Sequence, residues 1–124
     1  MDNDLFEKGL AMRKSVLGAD YVQKNLDAAD DFNRPFQEAM TAWCWGFGWS
    51  DDTIDKKTRS LMNLTMLAAL NRMHEWEVHC RGAITNGVTQ DELRAAIHAI
   101  GIYCGVPAAV ECFRVARKVL ESQD

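Results

Sequence analysis

Two pairs of residues that begin and end helices limit what the last third of this chain can fold into. Thr89 and Glu92 have the spacing of a capping box, in which each side chain bonds the other residue's backbone N–H, and they predict a helix over 90–104. Gly105 suits the position after a helix, and Pro107 suits the first turn of the next one, predicted over 107–121. The sequence therefore predicts two consecutive helices with a very short connection.

The rest of the chain repeats this helical pattern, because its apolar residues recur at helical spacing between turn-forming residues. The further predicted helices cover residues 4–17, 20–30, 35–45, 55–71 and the stretch that ends at Asn86–Gly87. Asp20 is the expected cap of the second helix, and Gly46-Phe47-Gly48-Trp49 is expected to form a tight aromatic loop after the third. No segment alternates as a strand does. We therefore predict an all-α fold of about six helices, with residues 1–124 as a single domain.

Charge and hydropathy exclude several classes of function. The chain carries a net charge of −4, whereas nucleic acids and anionic membrane surfaces are bound by basic faces. No apolar run approaches the roughly 18 residues that a membrane-spanning helix needs. The acidic start is the opposite of the basic start of a signal peptide. We therefore expect a mature cytoplasmic protein that binds neither nucleic acid nor membrane.

The four cysteines, Cys44, Cys80, Cys104 and Cys112, form no recognisable metal or redox motif. None stands in a CxxC pair, and none has a histidine at the spacing of a structural zinc site. We expect reduced thiols, several of them small core residues, and no bound metal. His98 stands among Ala, Ile and Gly and is expected to be a packed histidine rather than a ligand.

Candidate chemistry is concentrated in Glu75 and His79. Their i,i+4 spacing places both side chains on one face of a predicted helix, where they could share a proton or bind one small ligand. A neighbouring carboxylate is expected to raise the pKa of the histidine and to fix its tautomer, which suits a proton donor. The alternative is an ordinary Glu–His contact on a solvated helix face, because such surface pairs are common.

Arginines and aromatic residues could complete a pocket. Arg59 lies one turn before the buried apolar run of the predicted helix 55–71 and is the preferred clamp for a carboxylate, because a guanidinium matches two oxygens at once. Arg72 and Arg81 fit solvated helix ends better, although Arg72 stays a candidate for substrate binding. The aromatic candidates for the pocket wall, which could equally be core residues, are Trp43, Trp45, Phe47 and Trp49.

Several segments together resemble the carboxymuconolactone decarboxylase family, and most of all its 4-carboxymuconolactone decarboxylase branch. In chain order they are Phe36-Gln37-Glu38, Trp45-Gly46 with Trp49, Thr58-Arg59-Ser60-Leu61, Ala69-Leu70-Asn71-Arg72, Glu75-x-x-x-His79-x-Arg81, Asn86-Gly87-Val88 and Ile102 to Ala109. The last segment adds Tyr103 to the candidates for substrate binding. The family's other branch, which resembles the AhpD type, reduces peroxide with a CxxCxxxH motif. Since Arg72, Glu75 and His79 stand in the corresponding places, the thiol pair needed for peroxidase chemistry is missing.

The resemblance implies an all-α, AhpD-like fold, a homo-oligomer (trimer or hexamer) and a role in protocatechuate breakdown. It also implies decarboxylation, without a cofactor, of a carboxylated butenolide acetate to 3-oxoadipate enol-lactone. In this reading His79 protonates carbon, Glu75 orients and charges His79, and Arg59 binds the substrate carboxylate or the oxyanion.

The chain departs from the pattern it resembles at two places. Trp43 stands where the family carries a histidine, and Phe47 stands where a polar residue is usual. An apolar wall cannot satisfy a charged group, so the substrate could be a different, less polar or aromatic-bearing lactone or keto acid. A family paralogue with another carbon-acid reaction and a non-catalytic oligomeric protein that binds a small ligand are the alternatives. The second alternative predicts that Glu75 and His79 are exposed and unpaired.

Overall fold

The computed structural model describes residues 3–123, and the chain divides at residue 56/57 into two compact units. The first unit contains α1 (Asn3–Leu17), α2 (Ala19–Asp27), α3 (Arg34–Met40) and a π-helix (Thr41–Trp49). The helix over Lys56–Ala69 (α4) begins at the boundary. The second unit continues with α5 (Met73–Thr85), α6 (Gln90–Cys104) and α7 (Val106–Glu121). No strand is present in residues 3–123, which confirms the prediction of an all-α fold.

The predicted aromatic loop is wrong, because Gly46 and Gly48 lie inside the π-helix that continues α3. The two glycines do not turn the chain. Gly46 lies so close to α1 that a Cβ atom there would collide with the backbone oxygen of Leu5. Gly9 on α1 mirrors this, because a Cβ atom there would collide with the backbone oxygen of Thr41. Glycine is needed here for the close approach of two helix backbones rather than for a turn.

Aromatic residues of the π-helix divide between its two sides. Trp45 and Trp49 are buried with Val16, and their rings stack with centroids 5.0 Å apart. Trp43 and Phe47 lie on the exposed side, where their rings are nearly parallel at 4.7 Å. The alternative of core packing therefore holds for Trp45 and Trp49, and the other two present apolar surface to solvent.

The core of the second unit is built around Trp76. This residue is fully buried, and its indole Nε1 donates a hydrogen bond of 3.0 Å to the backbone oxygen of Leu64, which joins α5 to α4. A buried indole N–H without an acceptor would destabilise the fold, so this bond makes the large apolar ring acceptable in the core. The buried residues around it come from all four helices and include Leu64, Cys80, Ile97, Ile100, Cys112 and Val119.

Most helix ends lie where the sequence predicts them. Gly18, Gly87 and Gly105 have φ values of +96°, +94° and +105°, which glycine adopts readily. Thr89 and Glu92 form the predicted capping box, and Lys57 bonds the same Glu92 carboxylate at 2.7 Å. The cap predicted at Asp20 is wrong, because α2 begins at Ala19 and Gly18 occupies the capping position.

Two of the four cysteines, Cys80 and Cys112, are buried, as predicted for small core residues, while Cys44 and Cys104 are exposed. Burial raises the pKa of Cys80 to about 12 and that of Cys112 to about 11, so both are protonated at neutral pH. Across residues 3–123, no helix has the length and apolar character that crossing a membrane requires.

Candidate active site

The helix α5 carries Glu75 and His79, as the sequence predicts. Asn71 adopts a left-handed conformation with φ +57° and reverses the chain after α4, and an Asn side chain tolerates this region better than most. The backbone N–H of Arg72 bonds the carbonyl of Leu67, and α5 then starts at Met73. Glu75 therefore lies in the first turn of α5, with His79 one turn further along.

The environment of His79 differs from that of a surface histidine. The residue is half-buried, and its Nδ1 atom is shielded from solvent. Burial lowers the pKa of His79 below its ordinary value of 6.5, and the charge of Glu75 opposes this with a smaller upward effect. Glu75 raises the pKa of His79 as expected, but desolvation outweighs this effect and the net pKa is lowered. Burial therefore favours the neutral form of the imidazole in the free protein.

Glu75 is exposed at the start of α5. A carboxylate in the first turn of a helix is stabilised by the N–H groups at that end. The alternative of a non-catalytic pair predicts that both residues are exposed, which holds for Glu75 and not for His79. The pair thus combines a solvated carboxylate with a desolvated imidazole. A charged ligand bound nearby would therefore act most strongly on the protonation of the imidazole.

We expect the burial of His79 to make stability depend on pH. Since its folded pKa lies below the unfolded value of 6.5, the unfolded chain binds a proton more readily. The stability contributed by the neutral imidazole is fully present above about pH 6.5 and is lost as the pH falls through the folded-state pKa. Urea unfolding at about pH 7 and pH 5 should show a smaller loss in free energy for His79→Gln than for wild type. His74→Gln, at an exposed position of the same helix, is the control. Equal losses in wild type and His79→Gln would contradict this account.

The three candidate arginines, Arg59, Arg72 and Arg81, differ in their exposure and surroundings. Arg81 donates to Ser122 Oγ at 2.6 Å and to Glu77 at 3.4 Å, and Lys118 bonds the same carboxylate at 3.2 Å. The hydrogen bond from Lys118 is the main reason why the pKa of Glu77 is lowered. Arg81 is thus committed to a network between α5 and the C-terminal end of α7. The prediction of a solvated helix end is wrong for this residue, because α5 continues past it to Thr85.

Arg59 and Arg72 occupy contrasting positions. Arg59 is half-buried on α4 with its Nε atom shielded from solvent, whereas Arg72 is exposed immediately before α5. An anion is held more strongly by a partly desolvated cation than by one in bulk water. Of the two, Arg59 is better suited to hold a carboxylate.

A groove of about 380 Å³ lies beside the turn between α4 and α5. Its lining consists of Ala68, Ala69, Asn71, Met73, Cys104, Pro107, Ala108 and Glu111. Asn71 and Met73 flank Arg72 in sequence, and Cys104 follows Tyr103, which is 89% exposed on α6. The volume suits a small organic ligand. None of the predicted site residues belongs to the lining itself, so their contact with substrate stays a prediction.

The first unit contains a buried polar cluster around Arg13 that the sequence did not predict. Arg13 is only 4% exposed, and its Nη1 donates to Gln37 Oε1 at 3.1 Å and to Thr41 Oγ1 at 3.2 Å. Burial is the main cause that lowers the pKa of Arg13. A signal was present, because Arg13 shares one face of α1 with Gly9 and Val16, four residues before it and three after it.

His98, expected to be packed, is exposed on α6, with its ring centroid 6.0 Å from that of Phe113. Ile97 and Ile100 occupy the buried side of this helix, so the position of His98 faces away from the core. Within residues 3–123, no group of three or more His, Cys, Asp or Glu side chains is placed to hold a metal ion.

Comparison with known proteins gives consistent matches. The model of the carboxymuconolactone decarboxylase family matches residues 34–118. The nitrosuccinic acid decarboxylase of Metarhizium robertsii is 41% identical over 116 residues, which cover 94% of this chain and 81% of that protein. The 4-carboxymuconolactone decarboxylase of Acinetobacter baylyi is 36% identical over 120 residues, 97% of this chain and 90% of that protein. Both relatives are decarboxylases, which supports a carboxy-lyase activity for this chain.

Proposed function

The chain belongs to the carboxymuconolactone decarboxylase family, and we propose that it is a cofactor-independent decarboxylase of a small organic acid. The observation that carries this proposal is its similarity to two decarboxylases over 94% and 97% of its length. The half-buried His79, one helical turn from Glu75, supports it because an acid near the reacting carbon is what such a reaction needs.

The first proposed substrate is 4-carboxymuconolactone, with 3-oxoadipate enol-lactone as the product and aromatic catabolism as the pathway. The bond to the departing carboxylate breaks, and its electron pair spreads through the ring double bond to the lactone carbonyl oxygen. Carbon dioxide leaves, and a proton is then added to the carbon next to that carbonyl. In our proposal His79 supplies the proton, Glu75 supports the charged imidazole, and Arg59 holds a substrate carboxylate.

The lowered pKa of His79 in the free protein is compatible with this role. A bound anion favours the charged form of a neighbouring base, so an incoming dicarboxylate would raise the pKa of His79. The imidazole would then take up a proton when substrate binds and deliver it after carbon dioxide has left. The exposed Glu75 acts in the same direction.

Nitrosuccinate is the second candidate substrate. The 41% identity to a nitrosuccinic acid decarboxylase favours it. Trp43 and Phe47, where the sequence departs from the lactone-type pattern, do so as well, since a changed pocket wall fits a changed substrate. Both residues are exposed in the first unit, and their contact with any substrate is part of the proposal, as it is for Trp45, Trp49, Arg72 and Tyr103.

We further propose that the chain acts in the cytoplasm as a homo-oligomer, a trimer or hexamer. Support comes from large apolar side chains that are exposed on the second unit, including Ile102 at 77%, Val106 at 70% and Val110 at 62%. Large apolar side chains on the surface are enriched where proteins associate.

An absorbance assay with freshly prepared 4-carboxymuconolactone tests the proposed function. We expect disappearance of the lactone and release of carbon dioxide in proportion to the amount of protein, and no response when hydrogen peroxide replaces the acid. A nitrosuccinate assay is run in parallel. The absence of catalysed carbon dioxide release from both acids would contradict the decarboxylase proposal and favour a non-catalytic ligand-binding protein.

A further inference from the structure

The two substrates named in the relatives look unlike each other but share a skeleton. In nitrosuccinate, the carbon that loses carbon dioxide carries a nitro group and a CH2–COO− arm. In 4-carboxymuconolactone, the corresponding ring carbon carries the same CH2–COO− arm, and its electron acceptor is the unsaturated lactone. Both acids are therefore succinates substituted with an electron acceptor at the carbon that is decarboxylated. Only the acceptor differs in size and shape.

We propose that this chain decarboxylates substituted succinates as a class and recognises them by the retained CH2–COO− arm; the inference rests on the proposed function. The chain is related to both decarboxylases at 41% and 36% identity over nearly its whole length. A site that acts on both substrates meets two shared charged groups, the departing carboxylate and the arm, and only the arm keeps its charge through the reaction. The acceptor can vary, provided that it takes up the electron pair.

The electron balance is the same for both members of the class. In nitrosuccinate the C–COO− bond breaks, its electron pair forms the C=N bond of a nitronate, and carbon dioxide leaves. One proton added to that carbon gives 3-nitropropanoate. In the lactone the electron pair moves to the carbonyl oxygen, and one proton added to carbon gives the enol-lactone. Neither reaction needs an oxidant or a reductant, so the protein has to supply an anchor and a proton.

The proposed function gives a substrate carboxylate to Arg59, and of the two arginines that are candidates for binding substrate, Arg59 and Arg72, Arg59 fits the role of that anchor better. Arg72 is exposed to solvent. Arg59 is half-buried, where a cation interacts more strongly with an anion and can grip both carboxylate oxygens. The departing carboxylate should have no such clamp, because a cation that stabilised it in the ground state would slow its loss. Arg59 is therefore assigned to the arm.

A matched pair of nitro acids tests this assignment. In 2-nitropropanoate the CH2–COO− arm of nitrosuccinate is replaced by CH3, while the reacting carbon, nitro group and departing carboxylate are kept. Carbon dioxide release is measured for both acids and corrected for the uncatalysed rate. We expect kcat/KM for nitrosuccinate to exceed that for 2-nitropropanoate by about 100-fold or more, the effect of one lost charged hydrogen-bonding group.

The ratio between the two acids is then measured in three variants. Arg59→Gln should lower the ratio of the two kcat/KM values to about 10 or less. Arg59→Lys should restore part of the ratio, because lysine keeps the charge but lacks the forked guanidinium. Arg81→Gln is the control and should keep the wild-type ratio, since Arg81 forms a partly exposed ion pair elsewhere on α5. A loss of stability alone would lower both rates and leave the ratio unchanged.

Inhibition of the wild-type protein gives a test that needs no variant. Succinate keeps both carboxylates and should compete with substrate about 10-fold or more better than butanoate, which lacks one. Equal inhibition by the two acids, or a nitro-acid ratio near one, would overturn the assignment of the arm.

The outcomes for the class and for the proposed function are separable. Catalysed decarboxylation of both nitrosuccinate and 4-carboxymuconolactone supports the class. Turnover of only one of them overturns the class and leaves the decarboxylase activity standing. Turnover of neither would remove the proposed function itself.

Discussion

Replacement of His79 by glutamine is expected to lower the turnover of 4-carboxymuconolactone by about 10²- to 10⁴-fold, the usual contribution of a positioned proton donor. Glutamine keeps the approximate size and the hydrogen-bonding capacity of the side chain but cannot transfer a proton. Steady-state kcat measured from lactone disappearance gives the magnitude. Thermal unfolding and helical circular dichroism of the variant should stay near those of wild type, since the change removes no large apolar side chain.

Two further variants sharpen the test of His79. His74→Gln on the exposed side of α5 should leave turnover unchanged. Glu75→Gln should reduce turnover less than His79→Gln does, because the role proposed for Glu75 is exerted only through the charge of the imidazole. Near-normal activity of His79→Gln with an intact fold would refute the assignment of His79 as the proton donor.

The pH dependence of kcat/KM gives an independent test of the role of His79. A proton donor must be charged in the free enzyme for kcat/KM to be maximal, and burial holds the pKa of His79 below 6.5. We therefore expect kcat/KM to fall as the pH rises through that pKa, and this decline should be absent in the residual activity of His79→Gln. A decline that persists in the variant would assign the titration to another group.

Gly9→Ala should cause the largest loss of stability of any single methyl group added to this chain. Its Cβ atom would collide with the backbone oxygen of Thr41 and lie 2.7 Å from the backbone nitrogen of Gly46. Backbone atoms of two packed helices cannot move aside as a flexible side chain does. We expect a loss of about 3 kcal/mol, the upper part of the range for overpacking. The melting temperature should fall by about 10 °C.

The π-helix provides a matched pair of controls for Gly9→Ala. Gly46→Ala would meet the backbone oxygen of Leu5 and should destabilise to a similar degree. At Gly48, two residues further on, the nearest atom to an added Cβ is the backbone oxygen of Trp43 at 3.8 Å, which is an ordinary contact. Gly48→Ala should therefore stay within about 1 kcal/mol of wild type or be stabilising, because alanine is the better helix former. Equal melting temperatures for the three variants would contradict the steric explanation, because they would mean that α1 and the π-helix can move apart without loss of stability.

The helices themselves were predictable because their signals are local. A capping box, a glycine after a last turn and a proline in a first turn act on residues within one helical turn, so Thr89, Gly105 and Pro107 mark the same helix ends in the sequence and in the structure. The shared helix of Glu75 and His79 follows from the same local rule. The resemblance of ordered motifs along the chain to one family was likewise readable from the residues alone, and the family match confirms it.

Tertiary structure decided the features that depend on what packs from elsewhere in the chain. The spacing of Glu75 and His79 predicted a raised pKa for His79. The burial of His79, which comes from packing, lowers this pKa instead. Gly46 and Gly48 read as turn residues, yet the close approach of α1 makes Gly46 a packing residue within a π-helix. The sequence alone thus determined which residues lie one helical turn apart. Only the fold determined which of them lose contact with water, because desolvation and steric contact depend on residues that are distant along the chain.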